Sequence, residues 1–197
     1  MYKRQKDIRI LTISGLLHDI GKIMIPNEIL TKPGKLTVAE YNIMKQHVNF
    51  GYEKIKNQNI DIQIKEACLL HHEKCDGTGY PFGLKSDHIP AVAKIIAIAD
   101  VYDAMTSARV YRGALCPFEV IDTMYKDAFT KFEPEYILPF LKNVASSYIN
   151  NDVRLSDGRI GKVVLINENA LSLPIVQCED EFIDLSKTRG LTVSAIL

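Results

Sequence analysis

The longest strictly apolar run in the chain, Ile95-Ile96-Ala97-Ile98-Ala99, ends on a carboxylate, Asp100. Pro90 stands just upstream and suits the first position of a helix, so the spacing predicts a mostly apolar, central helix from Pro90 to about Ser107. The run is far too short to span a bilayer. An ionised carboxylate on an apolar helix is costly unless it is paired or bound to a metal. A fold built around this helix therefore has to bring a partner to Asp100.

Other signals predict more helices around it. From about Ile8 to Ile23, the apolar residues Ile10, Leu11, Ile13, Leu16, Leu17 and Ile20 fall near helical spacing, and Pro26 stops that segment. Lys32-Pro33-Gly34-Lys35 reads as a turn. Thr37-Val38-Ala39-Glu40 has the form of a capping box and opens a helix to about Lys54. Asp61 caps a further helix to about His72 or Glu73. Pro117 and Pro134 open two more, and Pro139 is expected to kink the second or delay its regular start. Near Asn150 the pattern changes. Val153–Leu155, Ile160–Ile166, Leu173–Cys178 and Phe182–Leu185 are short and β-branched, with Asp157-Gly158 a hairpin turn. The expected architecture is mainly α: a helical body over residues 1–149, then a small β subdomain over 150–197.

Composition excludes several classes. With 47% hydrophobic and 24% charged residues the chain is neither disordered nor fibrous. Its 24 basic and 24 acidic side chains cancel, which disfavours wrapping a nucleic acid polymer. The start, Met1-Tyr2-Lys3-Arg4-Gln5-Lys6-Asp7, is not followed by a signal-peptide core. The four cysteines, Cys68, Cys75, Cys116 and Cys178, are scattered, which suits reduced thiols in the cytoplasm.

The five histidines carry the chemistry. His18 is followed by Asp19 near the end of the first helix, His47 lies within the second, and His71-His72 end the third. Asp103 follows Asp100 on nearly the same helix face. His88, in a polar loop, reads as an ordinary surface residue. Imidazole and carboxylate together suit iron, manganese, zinc or nickel, and a carboxylate that bridges favours two ions. Lys22 stands one turn beyond His18, and Arg109 and Arg112 flank Tyr111. Cations beside a metal site suggest a phosphate substrate. The loop Asp76-Gly77-Thr78-Gly79-Tyr80-Pro81-Phe82-Gly83 lacks P-loop spacing and follows a helix.

Leu17-His18-Asp19-Ile20-Gly21-Lys22, His47, His71-His72-Glu73-Lys74-Cys75-Asp76-Gly77-Thr78-Gly79-Tyr80-Pro81, Ala99-Asp100-Val101-Tyr102-Asp103 and Arg109-Val110-Tyr111-Arg112 closely resemble the HD-GYP family, within the HD metal-dependent phosphohydrolases. The resemblance covers about residues 8–141. It implies an HD-type helical bundle holding two or three divalent metals, iron or manganese, and hydrolysis of cyclic di-GMP to the linear dinucleotide or GMP. Carried over by position, His18, Asp19, His47, His71, His72 and Asp100 are the implied metal ligands, with Asp19 bridging. Lys22 is the lysine facing the scissile phosphate, and Arg109 and Arg112 hold substrate phosphates. Gly79-Tyr80-Pro81 is the signature loop, implied to line the substrate site and to dock GGDEF-domain proteins.

Family members carry helices before the His-Asp doublet that supply another His and, in trinuclear members, a Glu. Here 17 residues precede His18 and none is His or Glu. The resemblance thus implies a chain lacking N-terminal helices, with apolar surface bared on the first and central helices, one metal short of a ligand, and a tendency to self-associate as a homodimer. The implied reaction is metal-assisted hydrolysis: Asp19 and Lys22 serve the chemical step, and the arginines position substrate. Two alternatives stay open. One is an impaired module that binds cyclic di-GMP or a GGDEF-domain partner. The other is a phosphohydrolase of another cyclic dinucleotide, such as 3′,3′-cyclic GMP-AMP.

Overall fold

Helix α1 spans Tyr2–Leu17 in the computed structural model, which describes residues 2–108 and 113–197. It stops earlier than the apolar spacing suggested. The chain turns at His18 and Asp19 and continues as a tight 3-10 turn, Ile20–Met24, before Pro26 and the short helix α2, Asn27–Leu30. In this turn Gly21 packs directly on the backbone of the segment at His47, an approach that leaves no room for a side chain.

The Thr37 capping box is formed. The Glu40 N–H donates to Thr37 Oγ1 at 3.3 Å, and the Thr37 N–H donates to Glu40 Oε2 at 2.7 Å. It opens α3, Val38–Met44, not one helix to Lys54. The Gln46 N–H reaches back only three residues, to Ile43 O at 3.0 Å, and this tightened turn separates α3 from α4, His47–Ile55. His47 is thus the first residue of its own helix. Asp61 caps α5, Ile62–Leu70, by accepting from the Gln63 N–H at 3.1 Å. That helix ends before the histidine doublet, where the Glu73 N–H again bonds three residues back, to Leu70 O. Helix α6, Ala91–Thr106, follows Pro90 as expected.

Helix α7, Pro117–Asp127, and helix α8, Pro134–Ser147, start at their prolines. Pro139 lies inside α8 without ending it or delaying its start. Its missing N–H costs only a bond to the first turn. After α8 come β1 (Asp152–Leu155), β2 (Ile160–Leu165), β3 (Ile175–Cys178), β4 (Glu181–Asp184) and β5 (Val193–Ile196).

Among the described residues the chain divides into two compact units, one within residues 2–101 and 130–133, the other within 102–129 and 134–197. In the first, Ile10 of α1, Ile64 and Ala67 of α5, and Val92 and Ile96 of α6 form a core, with Leu11, Ile13 and Leu17 packed on it. A neighbouring cluster joins Leu70, Ile89 and Ala93 and is flanked by Leu84. Ile8 and Leu16, also on α1, are exposed. In the second unit, Phe118, Ile121 and Met124 of α7 are buried, as are Ile137 and Leu141 of α8. The sheet is an antiparallel meander in the order β4-β3-β2-β1-β5. The β1–β2 hairpin turns at Asp157-Gly158, where Gly158 holds φ of 93°, a left-handed value that glycine adopts without steric cost. Val153, Leu155, Val163, Val176 and Ile183 fill the buried face of the sheet.

Candidate metal centre

Two glycines make the site possible. A Cβ on Gly21 would lie 1.9 Å from His47 O and 2.4 Å from the Gly51 N, so the 3-10 turn and α4 meet backbone to backbone. A Cβ on Gly51 would in turn lie 2.6 Å from Cys68 Sγ on α5. Cys68 Sγ also donates to His18 O at 3.4 Å. These approaches bring the turn after α1, the start of α4 and the end of α5 to one point.

At that point the donors converge. Asp19 Oδ1 lies 3.2 Å from His47 Nε2 and 3.8 Å from His71 Nε2, and those two nitrogens are 3.5 Å apart. Asp19 Oδ2 lies 3.3 Å from His18 Nε2, which is 3.7 Å from Asp100 Oδ1. Two groups result, Asp19-His47-His71-His72 and His18-Asp19-Asp100, and within each the ligand atoms all lie within 4.8 Å of one another. Donors around one ion at bond lengths near ~2.1 Å stand roughly 3–3.5 Å apart, which these spacings approach. Asp19 belongs to both groups, so the pattern suits two cations sharing a carboxylate.

The histidines are pre-oriented. Nδ1 of His18 faces Gly15 O at 2.8 Å, Nδ1 of His47 faces Met44 O at 2.8 Å, and Nδ1 of His71 faces Ala67 O and Cys68 O at 3.1 Å. A carbonyl only accepts, so each Nδ1 carries a proton and each Nε2 is aimed at the donor cluster. His18 Nε2 and Asp19 Oδ1 are buried without a hydrogen-bond partner among the described residues. Orphaned polar atoms of this kind are costly, and cations at the cluster would satisfy them. The residues present therefore fit divalent metals.

The histidines differ electrostatically. Burial alone would lower His18, but the Asp100 and Asp19 carboxylates outweigh it and raise its pKa to about 10, so a metal taking up His18 Nε2 would displace a proton from it. Burial would raise Asp19, yet His18, His47 and Lys22 hold it far below the usual carboxylate range. Burial, with neighbouring imidazoles, pushes both His71 and His72 below the usual imidazole range, which favours the neutral form that binds a metal. Lys22 Nζ donates to Asp19 Oδ2 at 2.5 Å from a partly exposed position.

The Gly79-Tyr80-Pro81 loop packs against the histidine doublet. A Cβ on Gly79 would lie 2.4 Å from the Lys74 N and 2.5 Å from Glu73 Cα, so only glycine lets the loop approach. The Tyr80 N–H donates to His72 O at 3.1 Å, and its ring stacks on His72, with centroids 4.7 Å apart at 25°. Tyr41 meets Tyr80 edge-on at 6.5 Å, and Lys45 Nζ lies over both rings. Pro81 follows a cis peptide bond.

Of the residues singled out from sequence, His18, Asp19, His47, His71, His72, Asp100 and Lys22 are brought together, with Gly79 and Tyr80 beside His72. Arg109 and Arg112 lie outside the described residues. Asp103 is in neither donor group and accepts from Ser107 Oγ at 3.3 Å. His88 is exposed near Asp87. Sequence reasoning assigned nothing to Glu73, which is buried, or to Tyr41 and Lys45. Glu73 follows the doublet directly, but its role depends on the loop closing back over it.

An HD domain family model matches residues 3–136, and the chain belongs to the HD domain family. It is similar to a cyclic di-GMP phosphodiesterase of Pseudomonas aeruginosa, 38% identical over 171 residues that cover 86% of this chain and 41% of that protein. A match of that coverage runs past α8 into the strands. The cyclic di-GMP phosphodiesterase response regulator RpfG of Xanthomonas campestris is 42% identical, with 72% of this chain and 38% of that protein covered. The chain thus spans about two fifths of the length of these curated relatives. In fold it is similar to the solved structure of an HDG"Y"P protein from Bdellovibrio bacteriovorus, with a TM-score of 0.55 and 22% identity, covering 67% of this chain and 42% of that one. The resemblance drawn from the motifs is borne out by these matches, as is the expected order of a helical body followed by a small sheet. No helix among the described residues is long and apolar enough to cross a membrane.

Proposed function

We propose that this chain is a metal-dependent phosphodiesterase module that hydrolyses cyclic di-GMP to the linear dinucleotide or GMP. The observation that carries the reading is Asp19, whose two oxygens serve two donor groups while Lys22 contacts the same carboxylate. Relatives named as cyclic di-GMP phosphodiesterases support the substrate class. His18, Asp19, His47, His71, His72 and Asp100 would hold two divalent cations; the imidazole and carboxylate set suits several transition metals, and the HD-GYP resemblance implies iron or manganese among them. Such ions supply Lewis acidity, neutralising phosphoryl oxygens and acidifying water. Asp19 keeps its donors in register across both groups. Lys22 places a cation next to them, where negative charge grows on phosphorus-bound oxygen. Tyr80 offers a ring face at the rim, and Arg109 and Arg112 are assigned to substrate phosphates by motif position. The exposed Phe82 beside Pro81 supports docking of a GGDEF-domain partner on this loop. Four free cysteines support a cytoplasmic setting.

The test is hydrolysis by the purified chain, loaded anaerobically with Fe(II) or Mn(II), and scored by chromatography of products. Cyclic di-GMP should disappear with metal and persist with Asp19→Ala. Full metal loading without turnover would leave a binding module, and faster loss of 3′,3′-cyclic GMP-AMP would move the substrate assignment.

A further inference from the structure

Glu73 is only 4% exposed, yet it belongs to neither donor group. Its carboxylate is occupied by the loop. The Phe82 N–H donates to Oε1 at 2.7 Å and the Leu84 N–H donates to Oε2 at 2.9 Å. Both oxygens of one buried group thus fix the returning end of the loop, whose other end is held by the Tyr80 N–H on His72 O. Between these anchors the Tyr80 ring stacks on His72, with centroids 4.7 Å apart at 25°.

His72 differs from its neighbours. Nδ1 of His18, His47 and His71 each faces a backbone carbonyl. Among the described residues the His72 ring has no such carbonyl; it packs against the rings of His71, tilted at 4.1 Å, and His47, edge-on at 5.0 Å, and its one parallel stacking contact is with Tyr80. We infer that Glu73 is a positioning residue. By anchoring the loop it holds Tyr80 on His72 and so sets the orientation of that imidazole within the Asp19-His47-His71-His72 group. The inference rests on the reading of that group as a metal site.

Glu73→Gln tests it. The amide keeps the size but points an NH₂ group at one of the two N–H donors it must satisfy. In the metal-free chain, the Phe82 and Leu84 amide protons should move upfield by NMR, and the His72 ring signals should shift. Metal affinity should fall about tenfold, in line with outer-shell partners of metal ligands. Tyr80→Phe, which keeps a ring, should retain affinity. Tyr80→Leu should lose it while leaving the Phe82 and Leu84 amides in place. A folded Glu73→Gln chain with unchanged His72 signals and wild-type affinity overturns the inference. So does wild-type affinity in Tyr80→Leu, which decides the matter if Glu73→Gln fails to fold. A wild-type chain that takes up no metal overturns the site reading instead, and the His72 ring signals in Glu73→Gln still decide the role of Glu73.

Discussion

Asp19 Oδ1 stands 3.2 Å from His47 Nε2, although the two residues belong to separate elements. The approach depends on backbone contact between the 3-10 turn and α4, at Gly21 and Gly51. The carboxylate is placed by what those positions lack. Any side chain at Gly21 would push apart the segments carrying the two ligand atoms.

That gives a pair of alanine substitutions with opposite signs. Gly21→Ala puts a Cβ 1.9 Å from His47 O, a backbone atom that cannot swing aside. It should destabilise by at least about 1–3 kcal/mol, as overpacking does. Gly15→Ala, on α1, meets only Ile96 Cδ1 at 4.0 Å and should stabilise by up to about 1 kcal/mol through helix propensity. Thermal melts of both, with metal uptake measured alongside, check this. Equal melting temperatures would remove the close approach from the account.

A second prediction concerns acid. Glu40 accepts from Lys32 and from the Thr37 N–H, which together lower its pKa from 4.5 to about 2. A carboxyl lowered on folding contributes stability that is complete above its unfolded pKa and is lost as pH falls through its folded one. Wild type should therefore be more stable than Glu40→Gln above about pH 4.5, with the gap closing towards pH 2. Denaturant midpoints across that range measure it. A gap independent of pH would mean that the carboxylate charge contributes nothing.

Much of the fold was legible because its signals are local. Thr37 with Glu40, Asp61, Pro90, Pro117 and Pro134 each mark a helix start in the sequence, and each start was found. What escaped notice was tertiary. The break between Met44 and His47 is a tightened turn that no residue announces. β5 is short and pairs with β1, the far end of the meander, so its neighbours in sequence give no hairpin signal. At the site, His18, Asp19, His47, His71, His72 and Asp100 stood out by residue type and resemblance. Glu73 did not, because its meaning lies in Phe82 and Leu84 folding back onto it. The carbonyls that orient the imidazoles belong to Gly15, Met44, Ala67 and Cys68, and no side chain advertises a carbonyl.

The sharing of Asp19 separates it from the other donors. Asp19→Ala should reduce bound metal at both groups, whereas His72→Ala touches only one and Asp100→Ala only the other. Elemental analysis of loaded, desalted chains should rank Asp19→Ala lowest, with a loss of affinity beyond the roughly 10–100-fold typical of outer-shell partners. His72→Ala and Asp100→Ala should each retain one population of ion. Equal retention in all three would mean that the carboxylate is not shared.

Lys22 tests whether the cation beside Asp19 serves chemistry or merely structure. Its ammonium sits 2.5 Å from Asp19 Oδ2 and helps to hold that carboxylate ionised. Removing it leaves Asp19 less neutralised, so Lys22→Ala should bind metal as well as wild type or better. If the ammonium faces charge that develops during phosphodiester cleavage, kcat should fall by roughly 100-fold or more, as when a single oxyanion donor is removed. KM should change little, because the interaction strengthens only in the transition state. Lys22→Arg should not restore the rate, since a planar fork cannot occupy the place of a compact ammonium. Steady-state kinetics at saturating metal, with metal content measured on the same samples, provides the check. Wild-type kcat in a fully loaded Lys22→Ala chain would remove Lys22 from the chemical step, and a matching loss of metal would make it a structural partner of Asp19.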